Sequence, residues 1–158
     1  MTKKELSGEA KTYIQKEMKR YETKESALIP ALYKAQEEYG YISPAVIEEL
    51  SKLMDIPASH NDKMSKFYTM FNKKPVGKYH VQVCTNIVCA CTGGREIMDY
   101  VCEKLHVKPG EVTEDGRFTV SNVECLGSCG SGPMAQINDD YHEDLNKEKV
   151  DRLLESLR

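Results

Sequence analysis

Apolar positions in the first half of the chain recur at helical spacing. Ala10, Tyr13, Ile14, Met18 and Tyr21 fall three or four residues apart with Lys and Glu between them, which predicts an amphipathic helix. Leu28, Leu32, Ala35 and Tyr39 predict a second, with Pro30 near its first turn and Gly40 as its stop. Ser43 followed by Pro44 predicts the start of a third, because serine caps and proline is preorganised for the first position. Val46, Ile47, Leu50, Leu53 and Met54 supply its apolar face. Pro57 separates it from a fourth, where Met64, Phe67, Tyr68 and Phe71 are expected to form one core-facing stripe. Residues 1–77 therefore read as a small helical bundle with one face left for docking.

The period then changes. Asn72-Lys73-Lys74-Pro75-Val76-Gly77 reads as a linker, and beyond it Tyr79, Val81 and Val83 alternate with His80 and Gln82. That alternation predicts a half-buried strand ending at Cys84. A helix is expected from about Gly94, with Ile97, Met98, Val101, Cys102 and Leu105 on its inner side. Phe118, Val120 and Val123 predict a second strand leading to Cys125. Met134 to Asn138, a turn at Asp139-Asp140, and Tyr141 to Asp144 predict a hairpin. Val150, Leu153, Leu154 and Leu157 mark a closing helix. The order β-α-β-β-α places a small α/β sandwich over residues 78–158.

Composition narrows the function. The 158 residues are 40% hydrophobic with a net charge of -3, so disorder is excluded and nucleic acid has no electrostatic support. The chain is long enough to bury a core without disulfide staples. No apolar run approaches the roughly 18 residues of a membrane span. Lys3 and Lys4 have no apolar stretch behind them, so no secretory signal is expected, and the six cysteines point to a reducing compartment.

All six cysteines lie between Cys84 and Cys129. Cys84 and Cys89 form one pair, Cys125 and Cys129 another, and each spacing lets two sulfurs turn toward one metal ion. One pair per iron is what a [2Fe-2S] rhomb requires. Such an anionic group needs donors, and Gly127, Gly130 and Gly132, with Gly93 and Gly94, are expected to free backbone N–H groups for the sulfurs. Structural zinc also takes four cysteines and stays open on spacing alone. Disulfides are disfavoured without a signal, no Cys-x-x-Cys occurs, and the plant-type ferredoxin spacing fails after Cys89. Cys102 reads as core and Cys91 as a bystander. His60, His80, His106 and His142 are scattered, and no nucleotide-binding glycine motif appears.

At these residues the sequence resembles a known family, the 24-kilodalton-type [2Fe-2S] subunit of NADH:quinone oxidoreductase, respiratory complex I (the E subunit in bacteria). Carrying the resemblance are Ala31-Leu32, Tyr39-Gly40-Tyr41-Ile42, Phe67-Tyr68-Thr69-Met70-Phe71, Lys74-Pro75-Val76-Gly77-Lys78-Tyr79 and Val81-Gln82-Val83-Cys84-Thr85-Asn86. Val123-Glu124-Cys125-Leu126-Gly127-Ser128-Cys129, Pro133-Met134 and Gln136-Ile137-Asn138-Asp139-Asp140 extend it. The resemblance implies an α/β fold: an N-terminal helical bundle, residues 1–77, followed by a thioredoxin-like α/β domain, residues 78–158, carrying a [2Fe-2S] cluster. It implies Cys84, Cys89, Cys125 and Cys129 as ligands. It further implies an oxidoreductase subunit without a complete active site of its own. The implied partners are a flavoprotein holding FMN and binding NADH, and a larger iron–sulfur subunit. The implied location is cytoplasmic, peripheral on the membrane's cytoplasmic face, with no direct insertion and no nucleic acid. An NAD-linked hydrogenase or formate dehydrogenase is the alternative parent, and a structural-zinc assembly module the alternative class. Two departures from the family stand out: the polar run Asn61 to Lys66, and Cys91 where the family usually has an apolar residue.

Overall fold

A computed structural model describes residues 5–157, and the chain divides into two compact units with the boundary between Pro75 and Val76. The first unit is helical. Ser7 caps α1 (Gly8–Arg20) by accepting the Ala10 N–H at 3.1 Å. The Glu38 carboxylate in turn accepts the Ser7 N–H at 2.9 Å. Next come a 3-10 turn (Lys24–Ala27) and α2 (Leu28–Tyr39), which ends at Gly40 in left-handed backbone with φ 79°. α3 (Pro44–Met54) starts on the expected Ser43 cap, and α4 (Ala58–Phe67) completes the unit. Ala10, Ile14, Leu28, Leu32, Ile42, Leu50 and Met54 form the centre of its core.

Two stripes run differently from the sequence pattern. In α1 the buried positions are Ala10, Ile14 and Glu17, with Leu6 buried just before the helix and Met18 packed at the core's edge, while Tyr13 and, just past the helix, Tyr21 stand exposed. Their amphipathic rings tolerate that position. α4 ends at Phe67, so the stripe from Met64 to Phe71 is not one helical face. The chain turns at Tyr68, leaving Phe67 76% exposed and returning Phe71 to the core at 4%. The buried positions of α4 are instead Asn61 and Ser65, one turn apart.

The second unit holds a four-stranded sheet in the order β2-β1-β3-β4. β1 (Tyr79–Cys84) runs parallel to β2 (Phe118–Val123), and β3 (Ala135–Ile137) pairs antiparallel with both β1 and β4 (Asp140–His142). Parallel neighbours need a crossover, and α6 (Gly94–Leu105) supplies it after a short α5 (Ile87–Cys91) that the sequence pattern did not announce. α7 (Lys147–Ser156) closes the unit. Val81, Val83, Ile97, Met98, Val101, Val120, Val150 and Leu154 fill the layer between sheet and helices. Gly77, read as linker, packs into this unit: its N–H donates to Thr119 Oγ1 at 2.8 Å, and a Cβ there would lie 2.7 Å from the Phe118 backbone. The hairpin turn is Asn138-Asp139, one residue earlier than expected, because Ile137 pairs with Asp140 and Asn138 takes φ 53°. Among the described residues no helix is long and apolar enough to cross a membrane.

Asn61 is fully buried, yet among the described residues neither its Nδ2 nor its Oδ1 has a hydrogen-bond partner. A buried unsatisfied amide costs about 1–3 kcal/mol, whereas an apolar group of similar shape does not. Asn61→Val should therefore raise the stability of the full chain by about 1 kcal/mol in denaturant unfolding. A fall in stability would show that the amide has a partner in solution.

Candidate metal centre

The segments that carry the two cysteine pairs leave the sheet at one end, and strand pairing puts them there. β1 and β2 run parallel and in register, with Cys84 beside Val123, so Cys84 and Cys125 leave the sheet on the same edge. β3 runs antiparallel to β1 with Ala135 opposite Val83, so the segment before β3 reaches that edge too. Two hydrogen bonds extend the pairing: the Cys84 N–H donates to the Met134 carbonyl at 3.1 Å, and the Thr85 N–H to the Val123 carbonyl at 3.2 Å.

Past β1 the chain turns at once into α5. Asn86 accepts the Ile87 N–H at 2.6 Å and starts it. This single turn carries Cys89 inward and leaves Cys91 exposed. α6 then begins hard against the same loop: a Cβ on Gly94 would lie 2.6 Å from the Cys84 carbonyl oxygen and 2.8 Å from that of Cys89.

Cys84 and Cys89 are buried with Met134, flanked by Val123 and Leu126, whereas Cys125 and Cys129 are exposed. Burial pushes the Cys89 thiol up to about 11. The neighbouring Cys84 adds to the rise by hydrogen bond and charge and Cys129 by charge, while the Met134 backbone opposes it. The Cys89 thiol holds its proton until a metal supplies positive charge, and ferric iron fits that need. The backbone fits as well. The Gly127 N–H donates to Cys125 Sγ at 3.3 Å from a residue with φ 78°, and a Cβ on Gly132 would lie 3.3 Å from Cys89 Sγ. A Cβ on Gly130 would meet nothing within 4 Å.

Among the described residues no three His, Cys, Asp or Glu side chains converge as one metal ion would need. A [2Fe-2S] rhomb asks for two protein sulfurs at each iron, and Cys84 with Cys89 and Cys125 with Cys129 are free cysteines. Cys102 lies at the edge of the second core, and burial raises its thiol. His80 bonds Ser121 Oγ at 2.8 Å, away from the cysteines.

Sequence reasoning missed the groups that brace the exposed loop. Ser131 Oγ donates to Glu143 Oε1 at 2.6 Å, Ser128 Oγ donates to the same oxygen, and Tyr141 donates to the Leu126 carbonyl at 2.7 Å. The two serine hydroxyls hold the Glu143 carboxyl below the usual carboxylate range. Only the hairpin after Met134 hinted that these residues fold back onto the loop.

Residues 14–158 match the thioredoxin-like [2Fe-2S] ferredoxin family. The chain belongs to that family. Its cofactor is accordingly the [2Fe-2S] cluster that the paired cysteines suggested. Among its relatives is the E subunit of the NADH-quinone oxidoreductase of Rickettsia prowazekii (strain Madrid E), 44% identical over 135 residues, covering 85% of this chain and 76% of that protein. Another is the E 2 subunit of the NADH-quinone oxidoreductase of Rhizobium meliloti (strain 1021), 39% identical over 139 residues, covering 88% and 83%. A solved structure, an NAD+-reducing [NiFe]-hydrogenase in the air-oxidized state, aligns with a TM-score of 0.72 at 25% identity. That alignment covers 82% of this chain but only 22% of the hydrogenase chain.

Within this ferredoxin fold the glycines divide by what surrounds them. Gly94→Ala should force two carbonyls aside and release most of the iron, with a stability loss of about 1–3 kcal/mol from overpacking. Gly130→Ala should keep full iron and sulfide content. Equal iron content in the two variants would contradict the close approach at Gly94.

Proposed function

We propose that this chain is the E-type electron-transfer subunit of an NADH:quinone oxidoreductase, with Cys84, Cys89, Cys125 and Cys129 as the ligands of its [2Fe-2S] cluster. The observation that carries the reading is the 44% identity to the E subunit of an NADH-quinone oxidoreductase across 85% of the chain. Supporting it is the delivery of both cysteine pairs to one sheet edge. When bound, the cluster supplies one-electron transfer. The chain's own residues position it: the sheet edge fixes Cys84, α5 turns Cys89 inward, and Met134, Val123 and Leu126 keep water from that side. NADH chemistry belongs to a partner flavoprotein holding FMN, beside a larger iron–sulfur subunit, and the assembly lies on the cytoplasmic face of the membrane. The likeness to the NAD+-reducing hydrogenase supports a second parent complex, at lower identity and over a small part of that chain.

Each ligand cysteine changed to serine should abolish or severely weaken the cluster, because an alkoxide is a poor soft ligand. Cys102→Ser should keep iron and sulfide and cost on the order of 1 kcal/mol in packing. NADH should reduce the cluster only with the flavoprotein present, as read by the electron paramagnetic resonance (EPR) signal of the reduced protein. Iron retained in Cys125→Ser would overturn the ligand set. Bound zinc with no visible absorbance would favour an assembly module, and reduction of the lone chain by NADH would move that chemistry onto this subunit.

A further inference from the structure

The segment from Glu124 to Met134 carries two exposed cysteines and only a short 3-10 turn, Cys129–Ser131, of regular structure. Its own hydrogen bonds are sparse, and it is held largely from outside. The Tyr141 hydroxyl donates to the Leu126 carbonyl at 2.7 Å. The Asp144 N–H donates to the Ser131 carbonyl at 2.8 Å, and the Leu145 N–H to that of Pro133 at 2.9 Å. Between those backbone ties, one oxygen of Glu143 accepts the hydroxyls of both Ser128 and Ser131, which themselves stand 2.9 Å apart. Glu143 is well placed to act as a fixed point, since β4 ends at His142 before it and buried Leu145 anchors the chain after it.

We propose that Glu143 is a positioning residue for the cluster: its carboxylate clamps Ser128 and Ser131 on either side of Cys129 and so holds the exposed pair of ligands in place. The proposal rests on the ligand reading above. Hydrogen bonds to a charged acceptor are roughly twice as strong as neutral ones, and two on one oxygen fix the short turn that presents Cys129. Without the clamp the loop samples other arrangements, and the outer sulfurs leave iron more readily.

The test uses the full chain with its cluster, compared as parent, Glu143→Ala, Glu143→Gln and the Ser128→Ala/Ser131→Ala double variant. Glu143→Ala should release iron to a chelator roughly tenfold faster, in line with the loss of groups that orient metal ligands. It should also shift the EPR signal of the reduced protein. The double variant should reproduce both changes while leaving the carboxylate in place. Glu143→Gln, which keeps an acceptor at the same point without the charge, should give a release rate between those of the parent and Glu143→Ala. Thermal unfolding of the iron-free chain should stay unchanged throughout. Parental release rates and spectra in both Glu143→Ala and the double variant would overturn the clamp. So would an equal change in Glu143→Ala and Glu143→Gln with parental behaviour in the double variant, which would make the effect one of charge alone. A parent protein that takes up no iron would sink the cluster reading itself, and the clamp with it.

Discussion

The hydrogen bond from the Cys84 N–H to the Met134 carbonyl joins two segments that the sequence keeps far apart. It continues the antiparallel ladder of β1 and β3 by one residue beyond β3 and sets where the second cysteine loop ends. With the parallel register of β1 and β2, it makes three chain segments end at one edge of the sheet. That edge is where an α/β sheet offers free backbone and a place for a bound group. Everything at the centre follows from it, from the inward turn of Cys89 to the close start of α6 at Gly94.

Much of this was legible from local pattern. The Ser43 cap, the Gly40 stop and the alternation through Val81 and Val83 all rest on interactions within a few residues. What the pattern missed depends on contacts distant in sequence. Phe67 and Phe71 look equivalent at helical spacing, but the helix ends between them, and only one returns to the core. Asn61 opens the polar run that departs from the family and is fully buried, a choice the bundle imposes against the side chain's chemistry. α5 is too short to show a period, and its start depends on one Asn86 cap. The clamp at Glu143 joins residues whose partnership exists only once β3 and β4 have paired.

The proposed ligand set is lopsided. Cys84 and Cys89 sit in an apolar end of the core, while Cys125 and Cys129 face outward. Burial disfavours negative charge, so it opposes the more anionic reduced form, whereas the Gly127 N–H at Cys125 favours it. The two halves of the site thus pull the redox balance in opposite directions, and neither pair of cysteines alone would set it.

That asymmetry also separates stability from access. The buried pair is held by the sheet itself, so disturbing it means disturbing the core. The exposed pair lies on a loop that the sheet does not hold, and its order comes from hydrogen bonds to Tyr141, Glu143 and Asp144. A carrier that passes electrons to a neighbouring protein needs a side of its cofactor near the surface, and a loop there can admit it without opening the core. The cost of that access is a loop with little regular structure, which is why its bracing comes from the hairpin. With the proposed ligands, the rigid side would fix the cofactor's place in the fold, and the braced side would leave one face of it open to a partner.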